Sequence, residues 1–282
     1  LARARQDHHR HQRQHQPAHR LVVALPGAED FARLLAPQLG ADIVDLSYRR
    51  FPDGESYLRL LGDVRDAELV LVASLRDPDP QALSLWFLAD AARDLGARRV
   101  GLVAPYLPYM RQDIRFQDGE AVTNGSFARF VSQAFDWLVT VDPHLHRVPA
   151  LDRLYRIPAA AVASAPAIAR WVRAQLARPV IVGPDAESEQ WVRDVAARVG
   201  CPAIVLEKTR RGDREVEITV PMPGEAHGRQ PVLIDDIISS GRTGVASRFS
   251  SVPRSRSRVI AMAVIITSVI VKITPISPGT TL

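Results

Sequence analysis

From residue 21 onward, short runs that are apolar at nearly every position alternate with stretches whose apolar residues recur every three to four positions. This alternation limits the possible folds more than any other feature. The runs lie at 21–25, 43–46, 69–74, 99–103, 137–141, 180–182, 203–206 and 232–234. The amphipathic stretches lie at 29–39, 81–95, 165–176 and 187–199. A strand that is apolar throughout, rather than at every second residue, needs cover on both faces, which is the condition of a parallel sheet wrapped by helices. The spacing therefore predicts an α/β chain of strand–helix–strand units. In such sheets a ligand binds beyond the carboxyl ends of the strands, so the segments that leave those ends are the ones to read for chemistry.

The chain has 282 residues, enough for two ordinary domains. The Ala- and Pro-rich stretch 151–165 is the natural crossing between them. Residues 1–20 form a polar leader with five of the eight His, many Gln and Arg, and no apolar period. A His-rich tract can hold metal, but this composition is that of a segment unable to bury a core. The leader also lacks the apolar stretch of a secretory signal. A single cysteine, Cys201, excludes an internal disulfide and suits a reducing compartment.

The net charge of +5 hints at nucleic acid until it is mapped. Residues 1–20 carry +4 and residues 245–282 carry +5, which leaves the body at −4. The basic character belongs to the two ends and not to a binding face, so a nucleic-acid partner loses its support.

The most specific motif is Asp235-Asp236-Ile-Ile-Ser239-Ser240-Gly241-Arg242-Thr243, directly after an apolar strand. Small residues and Gly at such a turn let backbone N–H groups and hydroxyls converge on a phosphate. The adjacent carboxylates can accept hydrogen bonds from sugar hydroxyls. Two acids at a strand end are equally common as solvated turn residues, so the specificity comes from the whole string.

The other motifs are weak one at a time. Phe51-Pro-Asp53-Gly-Glu55 is a turn sequence by composition. Arg111-Gln112-Asp113 sits in a loop punctuated by Pro and Tyr. His144 and His146 follow a strand, and a His there near acids can ligate metal, although a lone His is more often structural. Asp185 or Ser188 could simply cap the helix that runs to Val199. Glu207-Lys208-Thr-Arg210-Arg211 could be a solvated run of charge.

In order, however, FPDGE, RQD, DPH, GPD, EKTR and DDIISSGRT resemble the ribose-phosphate pyrophosphokinase family, from about residue 21 to 243. The last motif alone is shared with phosphoribosyltransferases; LEKTR and DDIISS resemble the archaeal-type branch more than the common bacterial one. The resemblance implies two similar doubly wound parallel-sheet domains of the type I phosphoribosyltransferase kind, at 21–158 and 159–282.

It implies an enzyme that moves a pyrophosphoryl group from ATP to ribose 5-phosphate with Mg2+, giving AMP and phosphoribosyl pyrophosphate for nucleotide biosynthesis. By the same resemblance, Lys208 and Arg210 are catalytic and belong to a mobile loop. Phe51, Asp53, Glu55, Arg111, Gln112 and Asp113 bind ATP. His144 and Asp185 hold the metal. Asp235, Asp236, Ser239, Ser240, Gly241, Arg242 and Thr243 bind the ribose phosphate. An adenine site reached across a subunit interface implies a homo-oligomer, at least a dimer, located in the cytoplasm. The two rivals are a phosphoribosyltransferase, which has no use for an ATP site, and a non-catalytic partner subunit of the same family.

The chain departs from the family at its end. Residues 245–282 hold no acid, place Pro253 where a helix is expected, and alternate Ser with Arg before an apolar stretch at 259–271. That stretch is too short to span a bilayer. An acid-free, Ser/Arg/Pro-rich ending, together with Leu at position 1, is the pattern an altered reading frame would leave.

Overall fold

The computed structural model describes residues 19–145, 147–211, 215–219, 224 and 227–235. Most of the leader, His146, Asp236, the Ser239–Thr243 motif and the atypical end at 245–282 lie outside the described residues. By compactness the chain divides into two units. One comprises Leu1–Ala73, Asp79–Val103 and Ala134–Trp137; the other comprises Ser74–Pro78, Ala104–Gln133 and Leu138–Leu282.

In the first unit, strand β1 (Arg20–Ala24) leads through helix α1 (Glu29–Leu39) to β2 (Asp42–Ile43). A hairpin of β3 (Leu46–Arg50) and β4 (Ser56–Leu60) follows, then β5 (Glu68–Val72), α2 (Asp79–Asp94) and β6 (Arg99–Ala104). The hydrogen-bonded order is β2-β1-β5-β6, and all three pairings are parallel. The chain steps from β1 to β2 on one side and from β5 to β6 on the other. Right-handed crossovers then place α1 and α2 on opposite faces, which is what doubly wound means. The continuous apolar run of β5 is explained by this: Leu69, Val70, Leu71 and Val72 are all fully buried. Helix α1 lays Phe31, Ala32, Leu35, Ala36 and Leu39 over Val22, Val70 and Val72. It stops at Gly40, which adopts the left-handed conformation (φ 58°) and donates its N–H to the carbonyls of Ala36 and Pro37.

The second unit contains α3 (Thr123–Ala134) up to Gln133, then most of β7 (Trp137–Val141), followed by β8 (Ala159–Val162), the latter two paired in parallel. It continues through α4 (Ala165–Gln175), β9 (Pro179–Gly183), α5 (Glu189–Val199), β10 (Ala203–Val205), an antiparallel ribbon of β11 (Glu207–Arg211) and β12 (Glu215–Thr219), and β13 (Gln230–Leu233). The parallel order here is β10-β9-β13. Helices α4 and α5 contribute Ile168, Ala169, Val172, Val192, Val195 and Ala196 to one core with Ile181, Val232 and Ile234. Each fully buried aliphatic side chain of this kind is worth roughly 1.5–3 kcal/mol. The α/β architecture with parallel sheets is as the sequence predicts.

Three local expectations change. The run at 43–46 is not one strand: Val44 still donates to the Val22 carbonyl at 2.8 Å, but the chain turns at Asp45 and enters the β3–β4 hairpin. The helix expected over 187–199 begins at Glu189, after a 3-10 turn at Ala186–Ser188. The segment around Lys208, expected as a loop, is a strand of the ribbon, with Lys208 opposite Ile218 and Arg210 opposite Val216.

Candidate active site

Five of the six motifs leave the carboxyl end of a parallel strand. The clearest case is the sheet β10-β9-β13. The chain passes from β9 through α5 to β10 on one side and returns as β13 on the other, so strand order reverses between β9 and β13. That reversal opens the crevice in which ligands bind in open α/β sheets. Asp185 stands two residues beyond β9, and Asp235 two residues beyond β13. The strand ends are flush: the Ile234 N–H donates to the Val182 carbonyl at 2.9 Å, and the Leu206 N–H to the Gly183 carbonyl at 2.9 Å. Glu207, which opens the ribbon carrying Lys208 and Arg210, leaves the same end of the third strand. The GPD, EKTR and DD segments, spread over 50 residues of sequence, thus start side by side.

Asp185 and Ser188 occupy the N-cap positions of the 3-10 turn and of α5, but not as side-chain caps. Neither makes a side-chain capping hydrogen bond. Instead the buried Ser188 hydroxyl donates to the Asp185 carbonyl at 2.6 Å and closes a tight turn. Gly183 is required here by close approach: a Cβ on it would lie 2.3 Å from Ser188 Oγ and 2.8 Å from Val192 Cγ2.

The RQD and DPH segments follow β6 and β7. The Val141 N–H donates to the Pro105 carbonyl at 3.2 Å. Tyr109 takes a positive φ of 61°, costly for a non-glycine residue. Its ring packs on Phe127 at 4.9 Å, and Thr123 Oγ1 donates to its carbonyl at 3.4 Å. Arg111 is exposed and Gln112 half-buried, whereas the Asp113 side chain is 3% exposed and pairs with Arg147 at 2.8 Å. Asp142 has φ 37°, and its carboxylate accepts both the N–H and the hydroxyl of Ser164. This fixes the turn that presents the half-buried His144.

Phe51, Asp53 and Glu55 form the tip of the β3–β4 hairpin in the first unit. The Gly54 N–H donates to the Phe51 carbonyl at 2.9 Å, and the Phe51 N–H to the Glu55 carbonyl at 2.8 Å. Asp53 Oδ1 accepts the Glu55 N–H at 3.2 Å. Gly54 holds φ 94°, which a side chain would oppose. The Arg49 guanidinium lies 4.3 Å from the Phe51 ring centre and 4.5 Å from that of Tyr57. Phe51 is 38% exposed. In the same unit, a cleft of about 140 Å³ lined by Pro26, Glu29, Arg33, Asp45 and Tyr48 includes none of the motif residues.

Sequence reading overlooked Arg147, Ser164 and Arg49. Each acts on a motif from a distance along the chain or from outside its string, and only the fold brings Arg147 to Asp113 and Ser164 to Asp142.

Among the described residues no group of three or more His, Cys, Asp and Glu could cage a metal ion. The donors expected from the sequence are one imidazole and one carboxylate. That set suits a cation which keeps several waters and takes its other ligands from phosphate oxygens, as Mg2+ does, and does not suit a closed zinc site.

The comparisons with known proteins agree with this arrangement. Residues 20–134 match the model for the N-terminal domain of ribose phosphate pyrophosphokinase, and residues 150–245 match a phosphoribosyl transferase domain. The chain is 35% identical over 228 residues to a ribose-phosphate pyrophosphokinase of Methanopyrus kandleri, covering 80% of this chain and 77% of that protein. It is 34% identical over 212 residues to the same enzyme of Saccharolobus solfataricus, covering 74% and 72%. In three dimensions it resembles phosphoribosylpyrophosphate synthetase from Mycobacterium smegmatis, with TM-score 0.69, 20% identity, and coverage of 87% and 80%. With the motifs in family order, five of the six beyond the end of a parallel strand, and with relatives matched along most of their length, the chain belongs to the ribose-phosphate pyrophosphokinase family.

Proposed function

We infer that this chain catalyses the transfer of the pyrophosphoryl group of ATP to ribose 5-phosphate. The anomeric hydroxyl oxygen attacks the β-phosphorus, the bond from that phosphorus to the α–β bridging oxygen breaks, and AMP leaves. The hydroxyl proton passes to water as the new oxygen–phosphorus bond forms. The observation that most supports this reading is the start of the Asp185, Lys208 and Asp235 segments from one end of three adjacent parallel strands, at a reversal of strand order.

The work of such a site is positioning and charge compensation rather than covalent catalysis. Asp235, with Asp236, accepts hydrogen bonds from the ribose hydroxyls. The backbone and hydroxyls of Ser239, Ser240, Gly241 and Thr243 receive the 5-phosphate, with Arg242 adding a cation. Lys208 and Arg210 meet the equatorial phosphate oxygens as charge moves on to the leaving group. Covering the triphosphate with the ribbon also excludes water, which would otherwise hydrolyse ATP. His144 and Asp185 would hold Mg2+, which when bound would supply positive charge against the triphosphate. Phe51, Asp53 and Glu55 receive adenine beside the loop of Arg111, Gln112 and Asp113, the two sets drawn from different copies in a dimer or larger homo-oligomer. Cys201 is half-buried, and burial pushes its thiol pKa up, so it is an inert thiol of the kind found in a reducing compartment such as the cytoplasm.

The test is AMP formation from ATP, Mg2+ and ribose 5-phosphate. Release of pyrophosphate from phosphoribosyl pyrophosphate and a base, without AMP formation, would point to a phosphoribosyltransferase instead. A folded oligomer that makes no AMP would overturn the reading in favour of a non-catalytic subunit.

A further inference from the structure

We propose that Asp113 and Arg147 form a latch that holds the Arg111–Gln112 segment against the His144 turn, with Asp113 acting as a positioning residue and not as a contact to nucleotide. The inference rests on the reading of Arg111 and Gln112 as ATP-site residues.

The geometry carries it. Arg147 Nη1 donates to Asp113 Oδ1 at 2.8 Å across 34 residues of sequence. The Asp113 side chain is 3% exposed and that of Arg147 52%, so the cation covers the carboxylate and remains accessible itself. Asp113 adjoins Gln112, and Arg147 lies three residues beyond His144, so one ion pair ties the loop after β6 to the turn after β7. The same guanidinium stands 5.6 Å from the Phe116 ring, farther along the same loop. From the other side the loop is pinned by α3: the Asn124 N–H donates to the Gln112 carbonyl at 3.4 Å, and Asn124 is itself buried.

Charge points the same way. A free carboxylate beside a triphosphate would repel it, whereas one neutralised by a guanidinium and shut off from solvent does not. A buried acid with its own cation is a structural tie, and loss of the cation leaves the carboxylate uncompensated, whereas loss of the acid frees the loop from the solvated guanidinium.

Four proteins test this: wild type, Asp113→Asn, Arg147→Gln and the double variant, each as the full chain. Amide hydrogen exchange over residues 111–120 reads the latch directly. ATP and ribose 5-phosphate kinetics read its consequence. The expected result is faster exchange in both single variants, with no further increase in the double. The KM for ATP rises about tenfold in each, that for ribose 5-phosphate stays within twofold, and the double is no worse than the worse single. A charge-exchanged protein, Asp113→Arg with Arg147→Asp, recovers part of the loss.

A rise in KM for ATP in Asp113→Asn with none in Arg147→Gln overturns the proposal and makes Asp113 a direct nucleotide contact. Additive effects in the double, or unchanged exchange in either single variant, overturn it as well. If wild type forms no AMP, the functional reading falls, and exchange over 111–120 still decides the latch.

Discussion

Gly183→Ala is the substitution in which scaffold and chemistry are most tightly joined. Gly183 ends β9 and is fully covered. The added methyl would lie 2.3 Å from Ser188 Oγ and 2.8 Å from Val192 Cγ2, where ordinary contact begins near 3.4 Å. Ser188 must therefore retreat by about 1 Å, and the first turn of α5 by about half as much, in a core with no slack. Overpacking of this kind costs about 1–3 kcal/mol. Displacing Ser188 also sacrifices its hydrogen bond to the Asp185 carbonyl, worth about 1 kcal/mol. The combined loss is about 3 kcal/mol. At a slope near 2 kcal/mol per molar urea, the unfolding midpoint falls by about 1.5 M. Tryptophan fluorescence reports it, because Trp171 and Trp191 both lie against this core. The controls are Ser188→Ala alone and the double variant. Ser188 Oγ is both the clash and the lost bond, so the double should be no less stable than Gly183→Ala, a departure from additivity of about 1 kcal/mol. Because Asp185 is held by the displaced turn, the Mg2+ concentration for half-maximal activity should rise as well. A Gly183→Ala protein within about 0.5 kcal/mol of wild type, or strictly additive losses, would refute the close-approach argument.

Alanine at Lys208 or at Arg210 should lower kcat about 100- to 1,000-fold with only a severalfold change in the KM for ATP; equal loss in ground-state binding would remove these cations from the transition state. Glu68 opens β5, nearly covered, with Arg20 Nε at 3.0 Å, Trp137 Nε1 at 3.2 Å and Arg99 at 3.7 Å. Burial raises its pKa, but the hydrogen bonds from Arg20 and Trp137 and the charges of Arg20 and Arg99 outweigh this and hold the carboxyl below its ordinary value of 4.5. A depressed folded pKa stabilises fully above the unfolded value, and the gain is lost as pH falls through the folded one. The stability gap between wild type and Glu68→Gln should therefore be widest above about pH 4.5 and close below it, and a gap constant from about pH 3 to 6 would contradict the ion pairing. Tyr155 is buried with a hydroxyl that has no partner among the described residues, so Tyr155→Phe should raise stability by about 1 kcal/mol in thermal unfolding. A fall would mean that the hydroxyl is satisfied.

The sequence carried the framework because continuous apolar runs survive as buried parallel strands. Helix α1 and strand β7 fall at the residues their periodicity indicates, 29–39 and 137–141. What it did not carry is equally physical. Strand β8 reads Ala-Ala-Ala-Val, with too little apolar surface to separate it from a linker, and it falls within the stretch 151–165 that composition marks as the crossing. The β3–β4 ribbon carries three Arg and the β11–β12 ribbon is mostly charged in sequence, so neither has the continuous apolar run of the parallel strands, and each is a strand pair through its antiparallel pairing. Helix α3 carries Gly125 and several polar residues, weak formers that Phe127, Val131 and Ala134 nonetheless pin to the core.

The same distinction runs through the site. A motif is legible when its residues touch the ligand, because type and spacing are then set by the chemistry. The residues that hold motifs in place are not legible, since their partners are chosen by the fold. Asp113 and Arg147 are 34 residues apart, Asp142 and Ser164 are 22 apart, and Gly183 is constrained by a serine five residues on. None of these pairings has a period or a string. They share one geometric reason: each steadies a segment just beyond the carboxyl end of a parallel strand, where the backbone has left the ladder and nothing regular holds it. Such a segment has fewer ladder hydrogen bonds to fix its course, so a single ion pair, hydroxyl or close-packed glycine decides where a functional side chain points. Substitutions at Asp113, Arg147, Asp142 and Ser164 should therefore change substrate affinity and metal requirement before they change the fold, the reverse of what substitutions in β5 should do, while Gly183, at the end of β9, does both at once.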